Sequence, residues 1–99
     1  MVKHIIIWNF KEEMTDEEKA FASNKIKKEL EALKGKIDGL LDIKVEAKSL
    51  ASSTGDLLLD SSFESEEALM GYQENPEHIK AATYVRSVMG ARRCFDYEV

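Results

Sequence analysis

The sequence predicts a single α+β domain of order βαββαβ, with a four-stranded antiparallel sheet and its helices on one face. Three observations carry this. Apolar residues recur with a strand-like period in four stretches and with a helical period in the segments between them. Helix-start residues stand at Thr15, Ser65 and Asn75, each heading a helix-period segment. The chain has 99 residues, enough for one domain, and these elements fill it from end to end.

Val2 to Phe10 is dense in β-branched and aromatic residues and predicts a strand. His4, Ile6, Trp8 and Phe10 fall on one face and Ile5 and Ile7 on the other. A strand apolar on both faces is expected at the centre of its sheet. Thr15-Asp16-Glu17-Glu18 has the form of a capping box, in which Thr15 and Glu18 satisfy each other's free backbone donors. The helix behind it carries Ala22, Ile26, Leu30 and Leu33 on one stripe, and Gly35 or Gly39 can end it. Leu40 to Lys48 alternates, with Leu41, Ile43, Val45 and Ala47 predicted on one side and Asp42, Lys44, Glu46 and Lys48 on the other. That is the pattern of a half-exposed edge strand.

Ser49 to Gly55 reads as a loop of small residues. Asp56 to Glu64 predicts the third strand, with Leu57, Leu59 and Phe63 inward and Leu58 outward. Ser65 caps a short helix whose stripe is Ala68, Leu69 and Tyr72. The chain restarts at Asn75-Pro76, Asn as cap and Pro at the first helical position. The next helix carries His78, Ala82, Val85 and Met89 on one side and closes at Gly90. Ala91 to Val99 predicts the last strand, with Arg93, Phe95, Tyr97 and Val99 on one face. Cys94 shares the other face with Arg92, Asp96 and Glu98, and that face is expected to turn away from the helices.

This order places both helical segments on one side of the sheet, in ferredoxin-like fashion. The other side has apolar central positions, Ile5, Ile7 and Leu58, among charged ones. Such a patch commonly marks an association surface, and a two-fold sheet-to-sheet homodimer would cover it, with Cys94 at the same interface.

Composition narrows the function classes. Asp and Glu number 19 against 14 Lys and Arg, a formal net charge of −5, which offers phosphate backbones no electrostatic footprint and argues against nucleic acid. The densest lysine stretch, Lys25 to Lys36, is interleaved with Glu29 and Glu31 and reads as a solvated helix face. The one cysteine, Cys94, permits no internal disulfide and fits a reducing, cytoplasmic setting. The apolar run near the N-terminus is too short for a signal peptide or a membrane span, so no membrane partner is expected. Glycine-rich phosphate loops and a Gly-x-Ser-x-Gly elbow are absent, and no cofactor is expected.

His78 is the leading candidate for chemistry. It falls in the first turn of its helix, where the dipole disfavours an added positive charge, and a neutral imidazole can act as a general base. Tyr72 lies one turn before the break at Asn75, with a hydroxyl that needs a partner when buried. His4 shares its face with Ile6 and Trp8. Two histidines and a tyrosine converging on a crevice walled by Ile6, Trp8, Ile26, Leu59 and Val85 would make a small-molecule pocket. No carboxylate or cysteine stands at ligand spacing on those elements, so no metal is expected.

Four segments together resemble a known family: Lys3-His4-Ile5-Ile6-Ile7-Trp8; Phe63-Glu64-Ser65-Glu66-Glu67-Ala68-Leu69 followed by Tyr72; Asn75-Pro76-Glu77-His78; and Phe95-Asp96-Tyr97. In order, and across nearly the whole chain, they are similar to the stress-responsive A/B barrel family. The resemblance implies a ferredoxin-like protomer that forms a dimeric α/β barrel. The family includes plant stress-associated proteins, bacterial proteins without assigned activity, and a plant polyketide cyclase in which a tyrosine and a histidine do the chemistry. By motif these fall on Tyr72 and His78, with His4 as a further pocket residue. The family often has His-Pro-x-His where this chain has Asn75-Pro76-Glu77-His78, and Ala22, Ser23 and Ile26 stand where the cyclase has bulky aromatics. The expectation is a homodimer that binds a small, mostly apolar molecule between sheet and helices. The alternatives are a cofactor-free aldol-type cyclase, with His78 as base and Tyr72 as oxyanion donor, and a structural homo-oligomer without ligand.

Overall fold

The structure, a computed structural model, describes residues 1–99. Its elements are β1 (Val2–Phe10), α1 (Asp16–Glu31), β2 (Leu40–Glu46), β3 (Leu57–Phe63), α2 (Glu66–Glu74), α3 (Pro76–Val88) and β4 (Met89–Glu98). The strands form one antiparallel sheet in the order β2-β3-β1-β4. This is the ferredoxin-like βαββαβ plan, with its second helical segment broken at Asn75. β1, apolar on both faces, is central as expected, and β2 is at an edge.

The predicted caps close as local geometry requires. Glu18 N–H donates to Thr15 Oγ1 at 3.1 Å while Thr15 N–H donates to Glu18 Oε1 at 2.8 Å. Ala68 N–H donates to Ser65 Oγ, and Glu77 N–H to Asn75 Oδ1. Each bond satisfies a helix donor that has no partner inside the helix. Helix α1 ends at Glu31, earlier than either glycine, and a run of turns carries the chain on to β2. Gly39 in that run has φ +83, and a Cβ there would collide with Ala68 of α2. Both its conformation and its clearance call for glycine.

The core joins Ala22, Ile26 and Leu30 of α1 to Ile43, Val45, Leu59 and Phe63 of the sheet. Ile26, Val45 and Phe63 are wholly buried, each contributing about 1.5–3 kcal/mol by removal from water. The helix is also fastened to the sheet edge. Lys27 Nζ donates to Val45 O and Val45 N–H donates to Glu31 Oε2, while Lys27 and Glu31 pair at 2.8 Å. Part of the lysine-rich helix face is thus more than solvated surface: it occupies backbone groups on an edge strand that would otherwise be open to pairing.

Three expectations fail in instructive ways. Leu41 points outward and Leu40 inward, because the β2–β3 register shifts between Leu40 and Asp42. A bulge there lets Leu40 and Ile43 face the same core, breaking the strict alternation. Met89 and Gly90 belong to β4 rather than to the end of α3, which passes into the strand without a loop.

The third concerns Cys94. Antiparallel partners share a face, and β4 pairs Arg92 with Trp8, Cys94 with Ile6 and Asp96 with His4. Cys94 therefore stands on the helix side, opposite Ile5, Ile7 and Leu58, and is no part of the surface they form. Phe95 and Arg93 pair with Ile5 and Ile7 instead. The aromatic residues of β4 thus enlarge the uncovered face, where Phe95 is 68% exposed and its ring lies 5.8 Å from that of Tyr97.

Candidate functional site

Between the β1–β4 side of the sheet and α3 lies a cavity of about 490 Å³. Its floor is His4, Ile6 and Trp8 of β1 with Leu59 of β3, and its roof is His78, Ala82, Val85 and Arg86 of α3. Tyr72 and Gln73 of α2 close one end, and Leu30, Met89 and Arg92 complete the wall. The cavity exists because α1 covers one half of the sheet and α3 stands over the other without filling it. From Gly90 onward β4 is exposed.

Of the residues expected in a pocket, His4, Ile6, Trp8, Leu59, Val85, Tyr72 and His78 line this one. Ile26 does not. It is wholly buried under α1, and Leu30, one turn on, takes the place at the cavity wall. The notable additions are Gln73, Arg86 and Arg92. Arg86 stands about two helical turns beyond His78 on the same helix, a spacing that the sequence shows. The side on which Arg92 lies depends on the β1–β4 register.

Tyr72 and His78 stack with ring centroids 4.1 Å apart and planes tilted by 41°. The Asn75-Pro76 break makes this possible, since it ends one helix just after Tyr72 and starts the next just before His78. Tyr72 is buried, and burial pushes its hydroxyl well above the usual tyrosine range. His78 is half-buried. Loss of water lowers its proton affinity, the nearby Gln73 backbone opposes this, and the neighbouring His4, Arg86 and Arg92 lower it further. The imidazole is thus held neutral near pH 7 and the phenol stays protonated. Tyr72 Oη and His78 Nδ1 are sealed from solvent, and neither has a hydrogen-bond partner. Orphaned buried polar atoms are rare and cost about 1–3 kcal/mol each.

His4 is also buried, and its ring centroid is 6.3 Å from that of Tyr72. Its Nδ1 is hydrogen-bonded to Asp96 Oδ1, and Cys94 Sγ lies 3.3 Å from the same carboxylate oxygen and 3.7 Å from the same ring nitrogen. The sequence expectation concerned spacing on the elements that carry the histidines, and the structure adds a carboxylate and a thiol from β4 beside His4. His4, Cys94 and Asp96 offer three potential metal ligands, one atom each, all within 4.8 Å of one another. They meet because β4 lies beside β1, a juxtaposition invisible in local spacing. The trio is not a relay of the nucleophile–histidine–acid kind, since thiol and carboxylate meet the same nitrogen. Burial, then the neighbouring Asp96, pushes the Cys94 thiol up, which keeps it protonated.

The stress-responsive A/B barrel domain model matches residues 2–99. The chain belongs to this family. Among solved structures, a dimeric protein of unknown function with a ferredoxin-like fold from Bacteroides fragilis is 31% identical, with a TM-score of 0.93 over 99% of this chain and 95% of that one. A dimeric ferredoxin-like protein of unknown function from Thermobifida fusca is 18% identical, with a TM-score of 0.83 over 99% and 90% of the two chains. A hydroxynitrile lyase from Passiflora edulis is 13% identical, with a TM-score of 0.79 over 99% and 92%. The last two likenesses speak to the fold alone. No curated protein matches the chain by sequence. No helix of this A/B barrel domain is long and apolar enough to cross a membrane.

Proposed function

We propose that this A/B barrel protein is a homodimer that binds a small, mostly apolar molecule in the cavity between sheet and α3. The observation that supports this most is the pairing of an apolar wall with two orphaned polar atoms, Tyr72 Oη and His78 Nδ1. Both atoms are sealed from solvent, so a ligand oxygen would engage them as their side chains shift toward the cavity, relieving a cost the folded chain otherwise bears. A ligand at 100 times its dissociation constant should stabilise the protein by about 2.7 kcal/mol, read as a rise in melting temperature. No shift across a panel of aliphatic and aromatic compounds would rule the reading out in favour of a structural oligomer.

The dimer reading is supported by the open face, where Ile5, Ile7, Leu58, Phe95 and Tyr97 form an apolar surface, and by relatives described as dimeric. Replacing Ile5 and Ile7 with Asp should yield monomers in sedimentation, and a persisting dimer would place the interface elsewhere.

A second reading is favoured by the opposed proton affinities of the stacked pair. His78 could take a proton from carbon next to a carbonyl, while Tyr72, holding its own proton, donates a hydrogen bond to the developing enolate oxygen. With a substrate in hand, His78→Ala and Tyr72→Phe should each slow turnover on the order of 10²-fold or more. Unchanged turnover in both would leave the cavity a binding site only.

A further inference from the structure

The charges around the cavity are as selective as its shape. The chain carries more acidic than basic residues, 19 against 14, yet no Asp or Glu lines the cavity. Its two fully charged lining residues are Arg86, from α3, and Arg92, from β4. Arg92 pairs with Trp8 across the sheet and so shares the cavity face. The ion pairs of the chain engage lysines and His4, and neither arginine has a carboxylate within 4.0 Å. Both lie near enough to His78 to disfavour its protonation. Both side chains reach water, and neither is neutralised by a neighbouring carboxylate. Each offers a fork of N–H donors matched to a carboxylate. The same cavity is lined by Tyr72, 1% exposed, whose hydroxyl has no partner.

We infer that the ligand is an organic acid, its carboxylate held by Arg86 and Arg92 and its apolar body laid against Trp8, Leu59 and Val85. This rests on the pocket reading above and narrows its substrate class. The carboxylate accounts for two cationic lining residues in a cavity without an acidic one, and the hydrocarbon part accounts for the apolar wall. A neutral hydrocarbon would make no use of the two guanidinium groups that line the cavity. A highly charged polar ligand would leave the wall of Ile6, Trp8 and Leu59 facing water.

Matched pairs of probes test it: octanoate against octanamide, and naphthoate against naphthamide, with binding measured by calorimetry and melting temperature. The proteins are the wild type, Arg86→Gln, Arg92→Gln and the double variant. Both arginines are exposed, so the variants should fold. In the wild type each acid should bind about tenfold or more tightly than its amide, and added salt should narrow the gap. Each substitution should weaken the acid about tenfold while leaving the amide unchanged. Equal binding of acid and amide to the wild type, or an acid preference that survives in the double variant, overturns the inference and leaves the pocket reading intact. Binding of neither member of any pair overturns both.

Discussion

Two halves of one sheet face meet different fates. Under α1, Ile26 and Val45 are wholly buried and the helix is stitched to the strand edge by Lys27 and Glu31. Under α3, the same face carries His4, Trp8 and Arg92, and the helix leaves a cavity of about 490 Å³. The polar groups differ in the same way. In the sealed half Ser61 is wholly buried and its hydroxyl donates to His4 O at 2.8 Å. In the open half Tyr72 Oη and His78 Nδ1 have no partner. Stability is concentrated in one half, and unmet bonding capacity in the other. Departures from full satisfaction of this kind gather where proteins bind or react.

The contrast can be broken most decisively by truncation. Ile26→Ala in the sealed half should cost about 2–5 kcal/mol in denaturant unfolding, since close packing leaves a void behind. Met89→Ala, at the cavity wall and only half-buried, removes a side chain of similar size and should cost well under half of that. Equal losses would mean that the two halves are packed alike.

A finer comparison sets one hydroxyl against another. Ser61→Ala should lose about 1 kcal/mol with its hydrogen bond. Tyr72→Phe removes a hydroxyl that has no partner, and should leave stability unchanged or raise it by up to about 1 kcal/mol. A clear loss at Tyr72 would reveal a partner and remove the chief support for a binding role there.

The two halves should also separate in pH. The folded protein holds His78 below its ordinary value of 6.5, so the unfolded chain takes up the proton first as pH falls. Stability should therefore decline below about pH 6.5, and His78→Gln should flatten that limb of a stability–pH curve. Glu31 in the sealed half has its carboxyl lowered from 4.5: burial alone would raise it, but the Lys27 and Val45 hydrogen bonds and the neighbouring lysines outweigh burial. Its contribution is present above that value and is lost as pH falls through the lower folded one, so Glu31→Gln should alter only the acid limb. A single merged step, unmoved by either change, would contradict both assignments.

The smallest effect belongs to the outer face of α1. Lys25 and Glu29 pair at 3.8 Å in solvent, and Lys25 Nζ also sits 4.3 Å above the Tyr84 ring. Lys25→Ala should change the melting free energy by about 0.5 kcal/mol or less, as exposed contacts do.

The sequence predicts a pocket between sheet and helices without dividing the sheet face into two halves. Tyr72 and His78 are expected to converge on one crevice with His4, and the structure lines one cavity with all three and stacks the first two across the Asn75-Pro76 break. His4, Ile6 and Trp8 were assigned to one face by strand parity alone, and the structure puts all three at the cavity. The reading of β4 failed because both of its faces are mixed. Hydrophobicity favours Phe95 and Tyr97 for the helix side, but the uncovered face is apolar too and takes them. Leu41 was misplaced because a bulge leaves no mark on alternation, and Ile26 because a buried stripe does not reveal which of its residues borders a void.

Sequence was enough for the order of elements, the three helix starts and the central place of β1, because each depends on bonds and packing patterns spanning a few residues. It could not bring His4 to Cys94 and Asp96, set Arg92 beside Trp8, or open a cavity under α3. Those rest on the register between the first and last strands and on how far each helix reaches across the sheet. Such features are settled by the sum of contacts between residues far apart in the chain, and no short stretch of sequence carries that sum.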